Sequence, residues 1–470
     1  MGCADSVHPA GLRTLYLTEV WERFLFYGLK SLLVLYLNSG VLQRLENRVL
    51  GAAVVKALFG RTDGSASTTQ ALSSQINQFY SGAAYITPLV GGYVADRVLS
   101  ARMTLVTGGM LMAAGHACMA YEPFFLLGLL LLVLGNGGFK PTITSILSRL
   151  YEPAVFKNLR DRGFAIFYTG INVGAVAAPL VCGALQQHIG YQAGFGAAGI
   201  GMLIGLATFF AGSAALPDDA DLGQGKSSSS EPLLANVQSM PRWKLEEIGA
   251  LIGMCASIIP FWVCFEQWSN TVPLFFRDFT ERQVLGFEIP AAWLQSFNPL
   301  GCIALMPVLT TLWAAQSRRG AEPDSCFKMA IGCVLQALAW LVMAFGSAQV
   351  DGSRKAPLAL PLIATILLTS AQLYLAPVGL ALISRCCPPH RKSTATGAWF
   401  LAGGVGGLLA GPVGVLYSSW PKPIFFFTLS LLCLMDAALV ALMTPRLKRI
   451  ATGEDLHIKR KREGTEDSDC

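Results

Sequence analysis

Glu19, Glu22, Arg23, Phe26, Tyr27 and Lys30 fall at offsets 0, 3, 4, 7, 8 and 11, which puts two carboxylates, a guanidinium, a phenol and an ammonium on one helical face. The stripe climbs roughly 16 Å. Around it the sequence is apolar, and a charge near the centre of a bilayer costs at least about 2.5–3.5 kcal/mol on insertion scales, so the stripe must point into a bundle interior or a water-filled path. Lys140 poses the same problem, between Gly135-Asn136-Gly137-Gly138 and Pro141, in a stretch whose small residues let helices approach closely. Its ammonium needs a cavity or a carboxylate, and Glu266 is its expected partner. A desolvated carboxylate holds or releases a proton according to whether a cation stands beside it. An ion pair made in one conformation and broken in another would couple proton occupancy to access.

The elements that carry these residues read as membrane spans. Of 470 residues, 53% are hydrophobic and 14% charged, and the mean hydropathy is +0.50, a balance foreign to a water-soluble chain of this length. Apolar stretches of about 20 residues predict twelve helices, near 14–38, 72–95, 102–121, 124–148, 163–186, 193–215, 246–275, 292–314, 327–348, 357–386, 394–416 and 423–443. The expected fold is an all-α membrane protein in two six-helix halves. Its parts are an N-terminus 1–13, a first bundle 14–216, a linker 217–245, a second bundle 246–445 and a charged tail 446–470. Pro217, three aspartates and four consecutive serines mark the linker as disordered. Residues 39–71 form a second long connection, on the outer side and without a structural signal. Of the 35 Lys and Arg, 23 lie on the termini and even-numbered connections and 9 on the odd-numbered ones, which places both termini in the cytoplasm. The host membrane is expected to be the plasma membrane or an endosomal or vacuolar one.

Most cysteines, Cys118, Cys182, Cys255, Cys264, Cys302, Cys333 and Cys433 among them, lie within spans and act as small apolar residues. No Cys/His spacing resembles a zinc site, so neither a metal nor a cofactor is expected. Without a nucleotide-binding loop or a nucleophile elbow the chain does not read as an enzyme, and nothing in it calls for nucleic acid. Met1-Gly2-Cys3-Ala4-Asp5-Ser6 fits the myristoylation acceptor pattern at Gly2, with Cys3 placed for a second acyl chain.

Glu19-x-x-Glu22-Arg23-Phe24-x-Phe26-Tyr27-Gly28 resembles the ExxERFxYYG first-helix signature of the proton-coupled oligopeptide transporters, a branch of the major facilitator superfamily that also holds nitrate carriers. Further likenesses follow in order along the chain: Gly91-Gly92-Tyr93-Val94-Ala95-Asp96-Arg97, Gly137-Gly138-Phe139-Lys140-Pro141, Phe164-x-x-Phe167-Tyr168-x-x-Ile171-Asn172-x-Gly174, Phe265-Glu266-Gln267, Gln295-Ser296-Phe297-Asn298-Pro299, Pro377-Val378-Gly379-Leu380 and Trp399-Phe400-Leu401. The resemblance implies a twelve-helix major facilitator fold and symport of protons with small peptides by alternating access. It implies that Glu19, Glu22, Arg23 and Glu266 couple protons, and that Tyr27, Lys30, Tyr85, Lys140, Asn172, Asn298, Gln372 and Trp399 line the substrate cavity. Three residues depart from the pattern. Phe26 replaces a tyrosine, Lys30 stands where arginine is common and loses its bidentate fork, and Gln372 replaces the helix-ten glutamate that receives a substrate's amino group.

Ordinary readings compete with these. Glu19, Glu22 and Arg23 could form a self-neutralised cluster, Asn172 and Asn298 could be interhelical hydrogen-bond glue, and Asp96 with Arg97 and Arg102 reads as a gating or topology element. Asp436 and His116 show no partner in sequence and read as structural. The leading expectation is proton-coupled uptake of di- and tripeptides, with nitrate or a small organic anion as the alternative because of Gln372. A non-transporting nutrient receptor is a third reading, disfavoured by the complete acid-base stripe.

Overall fold

The computed structural model describes residues 8–41, 51, 54, 58, 66–217, 245–351, 354–386 and 392–452. Gly2, Cys3, the linker 218–244 and the basic tail run lie outside them. Among the described residues twelve long helices follow one another: α1 Gly11–Tyr36, α2 Ala66–Arg97, α3 Ala101–Met119, α4 Phe125–Leu150, α5 Arg160–His188, α6 Tyr191–Ala211, α7 Leu245–Phe265, α8 Leu294–Arg318, α9 Ser325–Ala348, α10 Ala359–Cys386, α11 Lys392–Ser419 and α12 Lys422–Thr452. Eight are long and apolar enough on composition alone to cross a membrane. Helices α1 and α2 carry buried polar faces instead: α1 holds the charged stripe, and α2 buries Thr69, Gln70, Ser73, Ser74, Asn77, Gln78 and Ser81.

The predicted span 246–275 is not one helix. Helix α7 ends at Phe265, and the chain continues through short turns of helix at Gln267–Asn270 and Val272–Phe279. Such a break exposes backbone carbonyls at membrane depth, where they must be satisfied by protein. Side chains from two other helices do so: Gln78 donates to the carbonyl of Glu266 at 3.1 Å, Asn77 to that of Ser269 at 3.2 Å, and Gln295 to that of Trp268 at 2.9 Å. A two-stranded hairpin, Gln283–Val284 with Phe287–Glu288, precedes α8.

Helices α1 to α6 pack as one bundle and α7 to α12 as another. Within the first, α3 and α4 touch at glycines, so closely that a Cβ on Gly108 would meet the Gly135 carbonyl at 2.7 Å. The ends of α6 and α12 and the start of α1 share one face of the molecule, the terminal face; the hairpin marks the opposite, far face. At the terminal face Arg102 holds the end of α6 through the carbonyls of Leu216 (2.6 Å) and Pro217 (3.0 Å), a structural role for a residue read as part of a gating or topology element. His8 is pinned there too, its Nδ1 lying 2.8 Å from the Tyr151 hydroxyl.

The bundles meet mainly in the far half. Helix α2 crosses α11, and α5 crosses α8. Gly404, Gly407, Gly411 and Gly414 of α11 lie against Tyr85, Gly82, Gln75 and Ser74 of α2, close enough for Gln70 to donate to the Gly414 carbonyl at 3.2 Å. On the other flank Ser296 donates to the carbonyl of Val176 at 2.8 Å, Trp293 to that of Leu180 at 2.9 Å, and Gln187 to that of Glu288 at 2.8 Å. Among the described residues helices α4 and α10 make no extensive contact. The fold is therefore closed toward the far face and parted toward the terminal one.

Candidate functional site

Between the bundles lies a cavity of about 90 Å³, lined among others by Tyr27, Lys30, Tyr85, Glu266, Asn298 and Gln372. Six of the residues singled out in the sequence thus meet at one place, brought from α1, α2, the break after α7, α8 and α10. Lys30 reaches across the gap to Glu266, Nζ to Oε2 at 3.0 Å, and the Ser269 hydroxyl donates to the same oxygen at 3.0 Å. Both side chains are nearly buried, which makes the pair a strong link between the bundles only while both partners are charged. The expected partnership of Lys140 with Glu266 is not found: Lys30 has taken that carboxylate because α1 stands directly opposite the break after α7, whereas Lys140 lies on α4, which has no packed partner across the gap.

Lys140 is in no ion pair among the described residues. Its ammonium lies 4.9 Å from the centroid of the Tyr85 ring, a cation–π distance. Glu19, Glu22 and Arg23 form their own cluster on α1, with Arg23 Nη2 donating to Glu22 Oε1 at 2.6 Å and Nε 3.2 Å from Glu19 Oε1. Two carboxylates share one guanidinium, so the cluster is not self-neutralised but carries one formal negative charge unless a proton joins it. It lies beside the cavity and is buried rather than part of its wall. Phe26 sits under Arg23, 5.0 Å from ring centroid to guanidinium carbon, and so supports the cluster rather than facing solute.

Asn298 donates from Nδ2 to Thr369 Oγ1 at 3.0 Å and to Gln372 Oε1 at 3.2 Å, tying α8 to α10. Asn172 bonds its own helix, to the Tyr168 carbonyl at 3.3 Å, and Trp399 is buried against Gly379 of α10; neither lines the cavity. Asp436 finds a partner that the sequence hid, the Cys333 thiol at 3.4 Å, inside the α9–α12 contact. Among the described residues no group of three or more His, Cys, Asp or Glu is placed to hold a metal. Cavity residues given no role in the sequence include Trp262, Phe265, Trp268, Ser269 and Gln295, of which Phe265 and Gln295 stood in matched motifs. For Trp268 and Ser269 the signal was the interruption after α7, which hydropathy alone smooths over.

The sequence profile of the POT family matches residues 102–224 and 235–423. The chain is 32% identical to the peptide transporter YePEPT of Yersinia enterocolitica, over 87% of this chain and 88% of that one. It is 28% identical to a di-/tripeptide transporter of Lactococcus lactis subsp. cremoris, covering 84% and 86% of the two chains. A solved peptide transporter POT in complex with sulfate superposes with a TM-score of 0.76 at 25% identity, over 96% of this chain and 97% of the other.

Proposed function

The chain belongs to the POT family of secondary transporters, and from that premise we propose that it carries di- and tripeptides across a membrane, driven by protons. The observation that carries the reading is the Lys30–Glu266 pair, an ionic link between the two bundles inside the cavity. The bundles, residues 14–216 and 246–445, rock against each other. Opening the far half requires that pair to part. A proton on Glu266 removes its charge and releases Lys30, and Lys30 with Lys140 then holds a substrate carboxylate. Asn298 and Gln372 receive the other end of the solute. The Glu19–Glu22–Arg23 cluster, with one negative charge in excess, takes or relays the coupled proton and feels the charge on Lys140 nearby. Tyr27 and Tyr85 shape the cavity, while Asn172 and Trp399 position the helices around it.

The terminal face is cytoplasmic on the distribution of Lys and Arg, so the structure corresponds to a conformation open to the cytoplasm. Acyl chains on Gly2 and Cys3 anchor the terminus in the inner leaflet of a plasma, endosomal or vacuolar membrane. Gln372 favours one second reading, transport of a simple anion. Accumulation of a labelled dipeptide in proteoliposomes under an imposed pH gradient tests the proposal. Wild type is expected to concentrate the dipeptide, and Glu22→Gln to lose gradient-driven accumulation while keeping part of its exchange. Uptake of nitrate but of no peptide would favour the second reading.

A further inference from the structure

The charges around the cavity are unevenly distributed between the bundles. Arg23, Lys30 and Lys140 all belong to the first. The second offers few acids to meet them, since α8, α9, α10 and α11 contain no Asp or Glu. Asp436 is spent inside the α9–α12 contact, Glu246 and Glu247 stand in the first turn of α7 at the terminal face, and Asp278, Glu281, Glu288, Glu322, Asp324 and Asp351 lie outside the cavity wall. Glu266 remains, already engaged by Lys30 and Ser269. No rocking of the bundles can bring a further carboxylate of α8, α10 or α11 to the cavity, because those helices have none.

In place of an acid the wall carries two side-chain amides that bond each other. Asn298 spends its N–H groups on Gln372 and Thr369. Asn298 Oδ1 and Gln372 Nε2 carry no hydrogen bond among the described residues, although both side chains line the cavity. Turning both amides over leaves the same balance of one acceptor and one donor. A neutral C=O acceptor beside an N–H donor matches a secondary amide, whereas an ammonium offers three donors and no acceptor and would leave the glutamine N–H unpaired. A site built to bond one group discriminates against an analogue that leaves its polar groups unpaired.

The geometry points to a substrate class: anionic peptides whose amino end is acylated, with the carboxylate at Lys140 and the amide of the blocked end at Asn298 and Gln372. The inference rests on the peptide-transport reading and narrows it. A single negative charge on the solute also answers Lys140, which lies over the ring of the cavity residue Tyr85 and has no ion-pair partner among the described residues.

The test is uptake by proteoliposomes of labelled Ala-Ala and labelled N-acetyl-Ala-Ala, with wild type and Gln372→Glu, at one pH gradient. Wild type should transport the acetylated peptide at least as well as the free one. The variant, which offers an ammonium a charge-assisted bond about twice as strong as a neutral one, should move the preference toward free Ala-Ala by about tenfold. A wild type that prefers free Ala-Ala by tenfold or more overturns the proposal and leaves peptide transport standing. So does a preference that the substitution leaves unmoved. Failure of both proteins to accumulate either peptide overturns the transport reading, and this proposal with it.

Discussion

In the far half α2 meets α11 through small residues, with Gly82 of α2 3.5 Å from the position of a Cβ on Gly407; in the terminal half the same two helices present Tyr93 and Phe400, 65% and 50% exposed. The far contact is also polar. Asn77, Gln78, Gln70, Gln187, Ser296 and Trp293 all donate to backbone carbonyls of the opposite bundle, and Lys30 to Glu266. Hydrogen bonds of this kind are worth only about 0.5–1.5 kcal/mol net each, because water takes over the same groups when the halves part. Closure by glycine contact and amide-to-carbonyl bonds is thus reversible in a way that an interlocked apolar core is not. Among the described residues the terminal half has no such set between α4 and α10, which is what a transporter caught open on one side requires.

Breaking the ion pair should change this comparison most. Lys30→Ala or Glu266→Ala each leaves a nearly buried charge alone, at a cost of roughly 3–5 kcal/mol to the far-closed state. The double variant removes both charges and should recover most of that loss. Tm in detergent, read for the four proteins of the cycle, checks it; additive losses would mean that the pair does not hold the bundles.

A smaller effect is expected at the break after α7. Asn77→Leu leaves the carbonyl of residue 269 without its partner, about 1–3 kcal/mol, whereas Gln78→Leu leaves that of residue 266 its bonds from Ser269 and should cost less. Hydrogen exchange should quicken in residues 266–271 and stay unchanged in α4 and α10. Exchange that rises equally in all three would argue for general unfolding instead of a local latch.

The smallest effect on this conformation belongs to Gly397, in the terminal half of α11, where a Cβ meets nothing within 4 Å. Gly397→Leu should leave Tm unchanged or raise it, by up to about 1 kcal/mol of helix propensity. Turnover should nevertheless fall, because the terminal half has to close over the new side chain. Unaltered uptake would mean that residue 397 never becomes part of a closed interface.

How much of this was legible in the sequence follows from the kind of signal each element leaves. Helices α4, α6, α9 and α12 announce themselves by continuous apolar length, and the stripe on α1 by charge at helical spacing. The family likeness carried Lys30, Tyr85, Glu266, Asn298 and Gln372 to one cavity. Pairing was not legible: Glu266 could meet either lysine, and only the placement of α1 opposite the α7 break decides for Lys30. The polar ladder of α2 was readable in principle, as Gln70, Ser74, Asn77, Gln78 and Ser81 recur near every fourth residue, yet its partners are backbone carbonyls, which no side-chain pattern reveals. Asn172 and Trp399 show the converse, matching a motif while pointing elsewhere in this conformation.

On the proposed mechanism the far and terminal halves exchange closure during transport. Distances between spin labels test it in reconstituted protein, one pair near residues 148 on α4 and 381 on α10, the other at Gln186 on α5 and Leu285 at the hairpin tip. Adding dipeptide and lowering the pH on the far side should shorten the terminal pair and lengthen the far pair together. Two distances that stay fixed, or that change in the same direction, would rule out such an exchange.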